Sequence, residues 1–412
     1  MIRLSRYLLI VAGIIVAAFA VPKLYWTIFE KVPVNPTVFY SCTLNDFIIL
    51  GSEKTGPGER MDREGNKITL AEYEKNMPLM FFRQLMTDGT MPDSINGVPM
   101  EPMIINKANS FYRYSPKKIN TPVPALYPML ESQSGKVNLA MPDDYFRIGH
   151  RMEFVIAKTN KVDEDKSKLF TDALEAEDFA FPAHLIAGIP TTRKSKDEGY
   201  FVTDSKNQLF HIKMIKGQPY VARIETPENL GIIYIECVDL RNSEYYCFLF
   251  TGSNGIYVVM DEVYDLQRLP VEGVDPYTQE IRINGDLFNK CITVEGDNWL
   301  KATAIDDMYE VVDTYEETWR GRYERSDGKV LSALVPFEIS LTSPDSAYVD
   351  FYFKMSPGFL WIITNLVALG AGILIFLRKK MLFKNNIVDL AIIALAGIYG
   401  LIIIFIFPNK FK

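Results

Sequence analysis

The chain has 412 residues, 48% of them hydrophobic and 13% aromatic, which excludes a disordered class and suits one large domain or two ordinary ones. Its formal net charge of −7 is unevenly placed: residues 1–31 carry +3, residues 357–412 carry +5, and the stretch between them carries −15. A middle that acidic is repelled by nucleic acid and by anionic lipid surfaces, so no nucleic-acid partner is expected.

In chain order, the first element is an apolar run, Tyr7–Val21, with Arg3 and Arg6 before it and Pro22 and Lys23 after it. Residues 1–31 read as an N-terminal transmembrane anchor, because the chain continues as LYWTIF, whose Tyr25 and Trp26 suit a membrane interface. The alternative is a signal peptide cleaved after Ala18-Phe19-Ala20, which also leaves the middle of the chain outside. Residues 32–195 follow as a mixed α/β extracytoplasmic region. There Thr69-Leu70-Ala71-Glu72 predicts a capping box opening a helix that Pro78 interrupts. Asp163 predicts the cap of a second helix, with Leu169, Phe170, Ala173 and Leu174 as its core-facing stripe.

Residues 196–356 are strand-rich and repeat. FVTDSKNQLFHI at 201–212, FLFTGSNGIYVV at 248–259 and ITVEGDNWLKAT at 292–303 are each a strand, a polar turn with Asn, and a strand. Asn207, Asn254 and Asn298 lie 47 and 44 residues apart, and YERSDGKVLSAL at 323–334 is a fainter echo. That period is the size of a propeller blade, and a small sheet must stack on neighbours to bury both faces. Two readings stay open: β-propeller-like packing, or a plain antiparallel meander with similar hairpin turns.

Residues 357–412 predict a C-terminal transmembrane helical hairpin. Residues 359–377 are nineteen residues without a charge, and residues 390–407 are eighteen more. Between them RKKMLFKNN carries four basic residues, a cytoplasmic signal that agrees with Arg3 and Arg6. The N-terminus is therefore expected in the cytoplasm, the large domain on the periplasmic side of the inner (cytoplasmic) membrane, and the C-terminus outside too. Lys410 and Lys412 oppose that last placement. Gly370, Gly372, Ala396 and Gly400 permit close helix packing. Asp389 reads as a solvated or hydrogen-bonded carboxylate, and Thr364 and Asn365 as packing contacts. The fold class is a membrane protein with three transmembrane helices and a β-rich α+β extracytoplasmic domain.

No motif announces a reaction. His150, His184 and His211 belong to no metalloprotease pattern, and no nucleophile elbow or P-loop occurs. Asp62–Ile68 resembles part of a calcium loop but has Lys67 where Gly is needed, so it reads as a turn into the capped helix. The pairs Asp143-Asp144, Asp306-Asp307 and Glu316-Glu317 are neighbours, and neighbours on a strand face opposite ways. Cys42, Cys237, Cys247 and Cys291 lack metal-ligand spacing. Cys237 and Cys247 flank a turn at Arg241–Glu244, and they are either buried thiols or a cross-hairpin disulfide. No catalytic, cofactor-binding or metal residue is assigned, and the chain is expected not to be an enzyme.

REGNKITLAEYEKNMPLMFFRQLMTDGTMPDSINGV, SGKVNLAMPDDYFRI, TNKVDEDKSKLF and PTTRKSKDEGYFVTDSKNQLFHIKMIKGQPYV cover much of residues 60–225. They resemble a family of multi-pass membrane proteins of gut Gram-negative anaerobes that carries a domain of unknown function. The resemblance implies an accessory role beside ABC-type transporter components and transfers no site residue. Three functions follow as expectations: a non-catalytic accessory or assembly subunit with a membrane-protein partner such as an ABC permease or ATPase; an extracytoplasmic sensor or ligand-binding module; and, weakest, a surface hydrolase using dispersed carboxylates.

Overall fold

The computed structural model describes residues 2–31, 35–52, 56–133, 135, 138–240, 244–261 and 263–409. Eight α-helices occur among them: α1 Ile2–Phe29, α2 Leu70–Asn76, α3 Phe82–Thr87, α4 Pro102–Ala108, α5 Glu164–Ala176, α6 Ser326–Leu334, α7 Leu360–Arg378 and α8 Phe383–Ile406. The chain divides into two compact units, one of residues 36–317 and one joining 1–35 to 318–412. Residues 318–356, assigned from sequence to the strand-rich region, thus group with the apolar helices. No break falls near residue 195.

The 36–317 unit is a stack of antiparallel sheets taken in chain order. A three-stranded sheet over 144–163 is followed by four-stranded meanders over 185–224 and 232–268. A meander over 280–318 comes next, and the earlier strand Ser110–Tyr114 pairs with its first strand, Glu280–Gly285. Between the first two sheets lie Phe146, Phe154, Tyr200 and Phe210, with Phe170 and Leu174 of α5 closing that end. Phe201, Leu209, Cys247 and Leu249 fill the next interface, and Tyr112, Phe248, Phe250 and Ile292 the one after. The strand Tyr245–Thr251 is buried along its whole length because both faces are covered, which is why YYCFLFT carries no alternation.

The three repeats are the central hairpins of successive meanders. Asn207 and Asn254 turn them with φ of 62° and 59°, a left-handed conformation that Asn tolerates. The stacking matches the repeat logic, but the pairings among the described residues close no barrel and no propeller ring. The echo at 323–334 is not a hairpin: Ser326–Leu334 is the helix α6, whose apolar Leu331 turns inward.

Among the described residues three helices are long and apolar enough to cross a membrane: Leu4–Phe29, Leu360–Arg378 and Phe383–Ile406. α1 runs unbroken through Ala18-Phe19-Ala20 and through Pro22. Arg6 reaches Asp389 with two parallel bonds of 2.9 and 2.7 Å, and its Nε donates to the Phe407 carbonyl at 2.9 Å. Asp389 is fully buried, so it is an ion-paired carboxylate and not a solvated one. At the other end of α1, the Tyr25 hydroxyl donates to the Asp327 carbonyl, and Arg322 lies over the Trp26 ring at 3.9 Å.

α8 differs from the straight span the sequence suggests. Gly397 breaks it with φ 56° and ψ −128°, and the segments before and after lie side by side. A Cβ on Gly400 would stand 2.8 Å from the Ile392 carbonyl, and Asn409 donates to the Asn385 carbonyl at 3.1 Å. Asn365 of α7 sits at the break and donates to the Ala394 and Leu395 carbonyls at 3.1 and 3.3 Å. Gly372 and Gly400 serve packing within this unit, whereas a Cβ on Gly370 would meet nothing within 4 Å.

Candidate functional site

One cavity of the 36–317 unit holds about 440 Å³. Five separated segments build it: Phe39, Tyr40 and Cys42 at the first strand; Asn76–Met80 after α2; Asn109–Phe111; Asp239 and Leu240; and Asn284–Cys291 around a hairpin turn. Local chemistry explains each placement. The capping box forms in full, with Thr69 bonded to the Glu72 amide and Glu72 to the Thr69 amide, so α2 ends where Asn76 and Met77 face the cavity. The Asp286 carboxylate accepts from the Phe288 and Asn289 amides at 2.8 and 2.9 Å and so fixes the turn before Cys291. Asn109 donates to the Leu79 carbonyl at 2.8 Å.

The cavity is apolar and aromatic on much of its wall, from Phe39, Tyr40, Met77, Leu79, Met80 and Phe111, with acceptors spaced around it. Among them the Asn109 Oδ1 atom is buried without a hydrogen-bond partner. Burial pushes the Asp286 carboxyl above its usual range. Asp239 also faces the cavity and accepts from the Ser195 hydroxyl and amide at 2.5 and 3.0 Å. Among the described residues no lysine or arginine lines the wall. Cys42 and Cys291 do, but burial raises both thiols to about 12, so neither is a ready nucleophile. Such a wall suits a compact molecule with an apolar body and hydrogen-bond donors, neutral or cationic.

A smaller cavity that shares Asp239 and Leu240 with the first is lined by part of a dense ionic cluster. Lys194 and Asp197 pair at 2.5 Å while both are almost wholly buried, and Ser132 bonds Asp197 at 2.7 Å. Lys196 bridges Asp261 and Glu198, and Lys213 also reaches Glu198. His211 lies beneath, stacked on Phe201 with centroids 4.3 Å apart. Its Nε2 is 2.5 Å from the Glu198 carbonyl and its Nδ1 2.7 Å from the Tyr264 hydroxyl. The carbonyl can only accept, so Nε2 carries the proton and Nδ1 accepts from Tyr264. Burial lowers its pKa to about 4.

The residues singled out in the sequence do not converge. His150 and His184 are exposed, and His211 is a core residue. Asp144 pairs with Lys166 at 2.7 Å while Asp143 faces solvent, and Glu317 is buried while Glu316 is exposed. Asp62–Ile68 is a turn in which the Asp62 carboxylate accepts from the Asn66 amide at 2.8 Å. Cys237 and Cys247 are directly opposed across two strands, both as free thiols, and residues 241–243 of the turn between them lie outside the described residues. Among the described residues no group of three His, Cys, Asp or Glu side chains is placed to hold a metal. Asn109, Asp239 and Asp286 were not foreseen, since nothing local in the sequence marks them.

The profile of one protein family, described as a domain of unknown function (DUF4857), matches residues 37–305. That range takes in every segment of the cavity wall. A search of the curated proteins finds no match to the chain.

Proposed function

The chain belongs to the DUF4857 family, defined by a domain of unknown function, and from that premise we propose that it is a membrane-anchored, non-catalytic binding protein. The 36–317 unit takes a small neutral or cationic ligand in the cavity between Phe39, Met77, Phe111 and Asp286. One observation carries this reading: a preformed cavity of about 440 Å³ whose wall combines aromatic surface with acceptors, one of them the unpartnered Asn109 Oδ1. The basic run Arg378, Lys379, Lys380 and Lys384 supports an inner-membrane protein with its N-terminus in the cytoplasm and this domain on the periplasmic side. The test is a thermal-shift screen of the full chain in detergent against small amines and inorganic cations, repeated with Asp286→Asn. A ligand that stabilises the native chain and at least tenfold less the variant supports the site. A flat response across the screen overturns it.

A second reading, the accessory subunit of a membrane complex such as an ABC-type transporter, is favoured by Gly370. It leaves a notch on a face of α7 where Ile363, Leu366, Val367 and Leu374 are exposed. A mild-detergent pull-down from native membranes that recovers a stoichiometric permease or ATPase would support it. Recovery of the chain alone would remove it.

A further inference from the structure

α8 has the length and composition of a full crossing, yet its two ends meet. Arg6 bonds the side chain of Asp389, near the start of α8, and the carbonyl of Phe407, just beyond its end. In a straight helix those residues stand roughly 27 Å apart. The pairing continues along α1 in step: Ile10 packs among Ile393, Ile403 and Ile404, and Ala18 among Ala396 and Tyr399. One helix in register with both halves of another requires the second to double back. The two segments, Phe383 to Ala396 and Ile398 to Ile406, are roughly 20 and 13 Å long, and neither spans ~30 Å of hydrocarbon.

We infer that α8 is a re-entrant hairpin that enters and leaves the membrane by the same face, with its tip at Gly397 held inside the bilayer by Asn365. A non-helical bend at membrane depth survives only where its freed carbonyls are satisfied and shielded by protein. The Asn365 amide does this for Ala394 and Leu395, and Gly397 supplies a backbone conformation closed to side chains bearing Cβ. The end of α8 then lies on the side of Arg378–Lys384.

The test uses Asn385→Cys and Asn409→Cys together in the full-length chain, left in native membranes. The Asn409 amide and the Asn385 carbonyl are 3.1 Å apart, so oxidation with copper–phenanthroline should join the new thiols. With both substitutions carried on a Cys237→Ser background, which removes the Cys237–Cys247 pair, alkylation after denaturation should then count two thiols fewer than in the same sample reduced, a loss the Cys237→Ser chain alone does not show. A count that does not fall overturns the hairpin. So does labelling of the two single variants by an impermeant maleimide from opposite faces of the membrane.

Discussion

Acidification should unlock the interior around His211. Burial holds its imidazole neutral, with a folded pKa near 4 against an ordinary 6.5. A base depressed in this way contributes stability that is complete above pH ~6.5 and fades as pH falls toward 4. Between pH 7 and pH 5 the unfolded chain takes up a proton that the folded chain refuses, a loss of about 2 kcal/mol. Burial outweighs the neighbours: the bond to the Glu198 carbonyl and the charges of Glu198 and Asp197 favour the imidazolium, while Lys213 opposes it and Tyr264 already occupies Nδ1. Histidine ¹³Cε1 resonances are the direct assay, since the chain has three histidines and two of them are exposed. The His211 signal should stay nearly unchanged down to pH 5. Denaturant unfolding of the full chain should show His211→Gln losing about 2 kcal/mol less than wild type between pH 7 and 5. A His211 midpoint at or above 6, or parallel pH curves for the two proteins, would refute the reasoning.

Asp389→Asn should destabilise the membrane unit by about 3–5 kcal/mol, because it strands the Arg6 guanidinium in apolar surroundings; adding Arg6→Leu should restore part of that, read as thermal aggregation in detergent. Gly397→Ala should lower folded yield steeply, since its Cβ would collide with Asn365 Oδ1 at a combination of φ and ψ reserved for glycine; a well-behaved variant with wild-type melting would contradict the bend. Cys237 and Cys247 face each other in an antiparallel pair, where Cα atoms stand about 4.5–5.5 Å apart, within disulfide range. Mild diamide should therefore remove two hydrogens per chain by mass, and Cys237→Ser should abolish the change. The mature protein isolated from membranes should retain residues 1–20 by intact mass, because Ala18 is fully buried against the rest of its unit and Arg6 pairs with Asp389.

What the sequence makes legible is what is written locally. Thr69 and Glu72 announce their capping box three residues apart, and Asp163 caps α5 through the Lys166 amide at 3.0 Å. The repeated hairpins are visible because Asn turns punctuate apolar runs at even spacing. The cavity is invisible for the opposite reason: Tyr40, Asn109, Asp239 and Asp286 are brought together by stacking order, which no window of sequence contains. Ser326-Asp327-Gly328 looks like a turn but starts α6. There Asp327 accepts from the Lys31 amide at 2.9 Å, a partner far upstream. In α8 uniform hydrophobicity hid the bend, and AGIYG, with glycines at 397 and 400, was the one hint of it.

The strand Ser110–Tyr114 completes a sheet whose other members begin at Glu280. Tyr112 stacks on Phe248 at 3.9 Å, and the buried Tyr114 bonds the Pro276 carbonyl. None of these partners exists when the strand leaves the ribosome. At about 5–20 residues per second, the roughly 170 residues still to come take on the order of 10–35 s. Through that interval an aromatic edge waits open, so the speed of synthesis and whatever shelters a nascent chain decide whether this domain closes on itself or on a neighbour.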